Sequence, residues 1–203
     1  MDARKPILKA RNRLPHWSQG EVFQFVTWSL GDALPSEKRR QIVVERRDWV
    51  RAHPKPWTPK EEMEYGELFS ERVEGWLDRG GGACVLKRPE ASECVARTLE
   101  YFDGERYALK AYVVMPNHVH VLVSPFAEWS LDRLVHSWKR FSTGRIRKVV
   151  GGEGRLWMPG YWDRMIRSVE HLEYVREYIR LNPMRAGLGF GEFVLWMEEE
   201  GVV

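Results

Sequence analysis

The sequence predicts an α+β fold in which one antiparallel sheet is covered by helices, and three observations predict it. Short runs rich in β-branched and aromatic residues alternate with longer amphipathic stretches. Two of those runs are separated only by Met115-Pro-Asn117, the spacing of an antiparallel hairpin. The resulting order is strand, helix, hairpin, helix, strand, helix, which suits a single sheet with helices packed on it. A chain of 203 residues with a 43% apolar fraction is long enough to bury one sizeable core, so a single domain over 1–203 is expected.

Each element has its own local reason. Residues 22–30, Val-Phe-Gln-Phe-Val-Thr-Trp-Ser-Leu, form the first expected strand, preceded by an extended arm over residues 12–17. Residues 36–52 carry Ile42, Val43, Trp49 and Val50 among charges and predict an amphipathic helix, broken by the prolines of residues 53–59. A second helix is expected over 60–77, closed by Gly80, Gly81 and Gly82. Together these two helices, at about 36–79, read as an insertion into a smaller core. Residues 84–86 suggest a short extended piece. Pro89 then opens a helix to about Phe102, a favourable place because the first-turn N–H groups lack partners anyway. Residues 107–114 and the histidine-containing run after Asn117 make the hairpin. Ser130 caps a helix to about Lys148, broken or softened at Gly144, and residues 156–166 hold a last short strand. Ser168 caps the final helix, which Pro183 is expected to end or kink near Asn182.

Composition excludes several classes. No apolar run is long enough to cross a bilayer, and the opening Met1-Asp-Ala-Arg-Lys-Pro lacks the apolar stretch of a secretory signal. Cys84 and Cys94 form no CxxC pair and no disulfide framework, and are expected as reduced core thiols of a cytoplasmic protein. The formal charge of +3 is unevenly spread. Residues 133–148 contain Arg133, Lys139, Arg140, Arg145, Arg147 and Lys148 and no acid, followed by Arg155, Arg164, Arg167, Arg176, Arg180 and Arg185. The middle is acidic, through Glu61, Glu62, Glu64, Glu67, Glu71 and Glu74. A basic face interleaved with Trp138 and Phe141 suits single-stranded nucleic acid, where bases stack on rings and phosphates meet cations; a solvated helix face is the plainer alternative.

Candidate chemistry begins with His118 and His120. On a strand, alternate side chains share a face, so His118, His120 and Leu122 point one way and Val119, Val121 and Val123 the other. Residues two apart on a strand stand roughly 7 Å from each other, near enough for two imidazoles to lean onto one divalent ion. Taken alone, the pair also fits two surface histidines on a half-exposed strand. In the last helix, Leu172, Val175 and Ile179 form the apolar stripe, while Tyr174, Tyr178 and Asn182 recur every fourth residue on an adjoining face. A phenol and a carboxamide one turn apart reach one small site, and by spacing either Tyr174 or Tyr178 qualifies.

Three segments carry a resemblance. Val113-Val-Met-Pro-Asn-His-Val-His-Val-Leu-Val123, Leu156-Trp-Met-Pro-Gly-Tyr-Trp-Asp-Arg164 and Tyr178-Ile-Arg-Leu-Asn-Pro-Met-Arg-Ala-Gly-Leu188 occur in that order. They resemble the REP-associated tyrosine transposases, the domesticated branch of the single-tyrosine HUH transposases. Arg13-Leu-Pro-His-Trp17 and the helix over 134–148 are similar to that branch too; the resemblance is dense over 106–188 and thinner before it.

This resemblance implies a ferredoxin-like, palm-type (RRM-like) antiparallel sheet with the histidine pair on a central strand. It implies that His118 and His120 are metal ligands, that Tyr178 rather than Tyr174 is the nucleophile, and that Asn182 completes the metal site. Magnesium or manganese is the expected ion. The implied partner is single-stranded DNA beside an imperfect hairpin, cut and rejoined through a 5′-phosphotyrosine link by a monomer. Lys139, Arg140, Arg145, Arg147, Arg164, Arg180, Arg185 and Trp138 are the expected DNA contacts. Arg164 has structural pairing as its alternative, and Arg180 and Arg185 have solvation. His16, His53, His136 and His171 are not expected as ligands, although His136 shares the basic helix. A hairpin-DNA-binding protein without turnover, acting in repeat maintenance or regulation, is the competing expectation. A phosphodiesterase with paired His-x-Ser/Thr motifs is excluded, because neither His118 nor His120 is followed two residues on by Ser or Thr.

Overall fold

A computed structural model describes residues 7–9, 17–19, 22–54 and 56–199. The expected arm over 12–16, with His16 and most of the Arg13–Trp17 motif, lies outside them. The strands are β1 (Ile7–Lys9), β2 (Trp17–Gln19), β3 (Gln24–Ser29), β4 (Tyr107–Val114), β5 (His118–Pro125), β6 (Trp162–Met165) and β7 (Val194–Met197). The helices are α1 (Ser36–Ala52), α2 (Pro59–Tyr65), α3 (Arg72–Leu77), α4 (Pro89–Glu100), α5 (Leu131–Val150) and α6 (Val169–Arg185).

β1 and β2 pair with each other, and the remaining strands form one antiparallel sheet in the order β6-β3-β5-β4-β7. Leaving out β7, the connectivity β3, α4, β4, β5, α5, β6 with β5 between β3 and β4 is that of a ferredoxin-like split βαβ. The expected fold class holds, and the histidine strand is the middle one of five. Every residue of β3 and β5 is buried, because both faces of the sheet are covered.

The two faces bury separate cores. Val26, Trp28, Tyr112, Val119, Val121 and Val123 pack with Val95 and Leu99 of α4 and with Leu134, Val135 and Trp138 of α5. Phe25, Ala111, Val113 and Leu122 pack on the other face with Val175 and Ile179 of α6. Leu109 belongs to the first core and Ala111 to the second, although strict alternation would put both on one side. A register shift between them accounts for this, since one bulged residue flips everything after it to the opposite face.

Some expectations shift. α1 matches its predicted span, and α5 runs through Gly144 without a break. The helix expected over 60–77 is a continuous helical path, but Gly66–Glu71 is wound as a wider π turn between α2 and α3. Thr58 and Glu61 form a reciprocal capping box at its start. The short extended piece at 84–86 is instead a left-handed Cys84 (φ 50°) leading into a 3₁₀ turn over Val85–Lys87; three apolar residues without a partner strand do not make one. β7 was not expected, and it extends the sheet beyond β4. Both cysteines are free, half-buried rather than core residues. No helix among the described residues is long and apolar enough to cross a membrane.

Around the site two devices matter. The hairpin turn is pinned from outside, by Leu30 N–H to Asn117 O at 2.8 Å and Leu86 N–H to Pro116 O at 3.1 Å. β6 is an edge strand, and the α2–α3 path lies against it, tied by Arg164 to Glu74 at 3.0 Å and by Arg167 to Glu62. Covering an edge in this way shields it and brings the end of α3 to the histidine face.

Candidate active site

His118 and His120 point to the α6 side of β5 and are both 0% exposed. Their Nε2 atoms stand 3.0 Å apart. The outer nitrogens are held by neighbours: His120 Nδ1 lies 2.8 Å from Thr27 Oγ1, and His118 Nδ1 lies 2.7 Å from Asn117 Oδ1. Asn117 can be oriented without ambiguity, because its Nδ2 donates to the carbonyls of Leu77 and Gly81, each at 3.0 Å. Its Oδ1 is therefore an acceptor, His118 carries its proton on Nδ1, and His118 Nε2 presents a lone pair to the site. Burial makes protonation costly, so His118 is held down to about 3 and His120 well below the usual imidazole range. The two neutral imidazoles converge at 3.0 Å in the interior, so they are not the surface pair that the bare motif also permitted, and their geometry suits a shared cation.

Tyr178 arrives from α6. Its ring meets His120 at a centroid distance of 5.5 Å and Phe25 at 5.8 Å, both nearly edge-on, while Phe25 stacks on His120 at 5.2 Å. The hydroxyl is buried and makes no well-formed hydrogen bond, an uncommon condition for a buried polar atom. Burial raises its pKa above the ordinary phenol value, and the carboxylates of Glu74 and Asp78 raise it further. Tyr174, its rival by spacing, is 65% exposed and one turn farther out.

Asn182 is 0% exposed, and its Nδ2 lies 3.5 Å from Asp78 Oδ1. Of the two outcomes expected at Pro183, an end or a kink, the first does not occur: α6 continues to Arg185, and the Ala186 N–H bonds to the Asn182 carbonyl at 3.0 Å. Proline removes only its own N–H from the ladder, and the following turn re-forms around it. Asn182 thus stays on the Tyr178 face, with its Oδ1 buried and without a partner.

Two acids outside the expected site face this group, Asp78 and one member of the acidic stretch, Glu74. Asp78 follows α3 directly, and its Oδ1 is 3.5 Å from His118 Nε2. Glu74, one turn earlier, is buried against Arg164 at 3.0 Å. Burial pushes Asp78 up to about 6 and Glu74 up to about 7, Arg164 opposing the rise in Glu74. One signal for Asp78 was available: an acid at a helix C-terminus, where the dipole disfavours negative charge, invites a search for a compensating cation.

One donor atom each from Asp78, His118 and His120 lie within 4.8 Å of one another. Donors around an ion with bonds of about 2.1 Å stand roughly 3–4 Å apart, so the residues present fit a divalent cation.

The expected DNA contacts divide. Arg140, Arg145, Arg147 and Lys148 are exposed on α5. Trp138 is not a stacking platform: it is 3% exposed, donates from Nε1 to Tyr107 Oη at 3.1 Å and packs on Trp28. It occupies the sheet-facing stripe of α5, which the charge pattern alone could not reveal. Lys139 is likewise turned inward, donating to Met158 O at 2.9 Å and to Gly160 O, and burial brings it down to about 7. Arg164 takes its structural alternative, bound to Glu74 and Glu71. Arg180 pairs with Glu177 on the surface, and Arg185 lies over the Tyr178 ring at 5.8 Å. A groove of about 960 Å³, lined in part by Arg39, Arg147 and Arg155, borders α5 but includes none of the residues of the histidine site.

The family model described as "Transposase IS200 like" matches residues 84–182, which span the hairpin, α5, β6 and α6 through Asn182. No curated protein matches the chain. One solved structure, described as a REP-associated tyrosine transposase bound to a REP hairpin, has a TM-score of 0.43 and 14% identity, covering 88% of this chain and 76% of that one. A likeness so remote does not bear on function.

Proposed function

We propose that this chain, whose residues 84–182 match the model of IS200-like transposases, is a transposase of the REP-associated branch that its motifs resemble, and that it cuts and rejoins single-stranded DNA beside hairpins. The observation that carries this reading is the Tyr178 phenol, its hydroxyl in no well-formed hydrogen bond, against the convergent imidazoles of His118 and His120.

His118, His120 and Asn182 would hold the ion, magnesium or manganese. When bound, it supplies positive charge opposite the scissile phosphate. Phe25 and His120 fix the plane of the Tyr178 ring, leaving the hydroxyl free to meet phosphorus. In the cleavage step the Tyr178 oxygen bonds to phosphorus and the bond to the 3′ oxygen breaks. The phenol proton leaves toward Glu74, the neighbouring carboxylate, and the 3′ oxygen takes up a proton to become a hydroxyl. The ester energy stays in the 5′-phosphotyrosine, so a second 3′ hydroxyl reverses the step without a nucleotide cofactor. Nucleophile and histidines belong to one chain, so the reading needs no second subunit and a monomer suffices.

The test is to incubate the protein with labelled hairpin-flanked single-stranded DNA and manganese, then look for a denaturant-resistant adduct. The expected result is an adduct that chelator abolishes. Metal-loaded protein that binds the hairpin yet never forms the adduct would favour the non-catalytic binder instead.

Replacing Arg140, Arg145 and Arg147 together by Gln is expected to weaken DNA binding and flatten its salt dependence. Each lost phosphate contact should reduce the slope of log K against log salt by about 0.7 for single strands. Binding titrations between low and moderate salt measure this. An unchanged slope would make that face a solvated surface.

A further inference from the structure

Asp78 has a place in the site that its own region does not explain. It ends the helical path from Pro59, upstream of the family-matched segment, yet its Oδ1 meets His118 Nε2 at 3.5 Å. That nitrogen presents a lone pair, for the reason given by Asn117, so two acceptor atoms face each other. Acceptors held at that distance repel unless positive charge lies between them. The Asn182 amide, fully buried, touches the same carboxylate with Nδ2 and leaves its Oδ1 without a partner. The neighbouring backbone is fixed as well. Asn117 ties the carbonyls of Leu77 and Gly81, which bracket Asp78, to the histidine strand. A side chain at Gly81 would sit 2.7 Å from the Ala33 carbonyl oxygen, so that loop has little freedom to withdraw.

We propose that Asp78 is an anionic ligand of the divalent-ion site, and that the helical segment before the family-matched region serves to deliver it, with Asn117 as the positioning residue. This deepens the metal-dependent reading above and rests on it. The site is then two imidazoles, one carboxylate and one amide oxygen. Compared with the histidines and amide alone, the carboxylate lowers the net charge of the loaded site by one and adds a hard oxygen, which suits manganese and magnesium over softer ions.

The experiment is manganese binding without DNA, read by calorimetry and by the paramagnetic resonance signal of free Mn²⁺. Asp78→Asn, equal in size and neutral, should weaken binding about 10- to 100-fold, with a thermal midpoint in chelator equal to or above that of the native chain. Asp78→Ser should show the same loss and serves if the first variant folds poorly. His120→Gln should abolish binding and reports on the underlying reading. If both Asp78 variants bind manganese as tightly as the native chain while His120→Gln does not, Asp78 is no ligand and the histidine site stands. If the native chain itself binds no manganese, both proposals fall.

Discussion

Tyr178→Phe should eliminate the covalent protein–DNA adduct, a loss of at least about 10³-fold, because the phenol oxygen is the atom proposed to form the ester. The same variant should keep or raise its thermal midpoint. The native hydroxyl is buried without a well-formed hydrogen bond, so removing it deletes a desolvated polar group and only a weak interaction with Glu74. This pairing of outcomes separates a chemical role from a structural one, since a tyrosine that merely props the helix would lower stability when trimmed. Tyr174→Phe should leave adduct formation within about twofold, as that ring is 65% exposed and away from the imidazoles. Gel analysis of labelled DNA after denaturation, beside a thermal melt, measures all of this. Adduct lost in Tyr174→Phe and kept in Tyr178→Phe would move the nucleophile to the outer ring.

Acid should destabilise the metal-free protein late and steeply. His118 is held down to about 3 from 6.5 and His120 is lowered as well, both by burial. Below about pH 6.5 the unfolded chain therefore binds protons that the folded chain refuses, and stability falls with pH. Glu74 and Asp78 act in the opposite sense. Burial raises them to about 7 and about 6 from 4.5 and 3.8, so the folded chain holds protons that the unfolded chain has released. Their contribution grows as pH falls from 7 and is complete once the unfolded carboxylates are protonated too. The two effects offset each other between pH 7 and about 4.5. Below that the imidazoles act unopposed, each costing about 1.4 kcal/mol per pH unit until it titrates. Urea unfolding in chelator at pH 7, 5.5, 4.5 and 3.5 should give a nearly level stability and then a fall of several kcal/mol. In Glu74→Gln the decline should begin near pH 6. A native chain that already loses most of its stability by pH 5.5 would show that the acids are not held protonated in the fold.

Much of this architecture was legible beforehand because its signals are local. The prolines, the glycines and the Ser130 and Ser168 caps mark helix limits within a few residues, and alternation along β5 set which side chains join the histidines. The misreadings have the opposite character. Trp138 and Lys139 sit in a basic run that reads as a nucleic-acid face, yet both turn inward, because packing decides which stripe of an amphipathic helix faces the sheet. Pro183 obeys its local rule less than its neighbours require. β7 followed a Gly-rich turn as an apolar run, Phe193-Val-Leu-Trp-Met197, but a strand of four residues takes its identity from the β4 edge it pairs with.

What the chain determined by itself is the periodic part: strands and amphipathic helices, two imidazoles on one face of a strand, and a phenol and a carboxamide one helical turn apart. These follow from repeats of two and of about four residues, which sequence records directly. Spacing left Tyr174 and Tyr178 equal, and the tertiary structure puts Tyr178 against His120; it alone decided that Asp78, 40 positions before His118, reaches the same few ångströms. Closure of a long loop onto a sheet edge leaves no period in the sequence, because it depends on which surfaces bury one another and not on neighbouring residues.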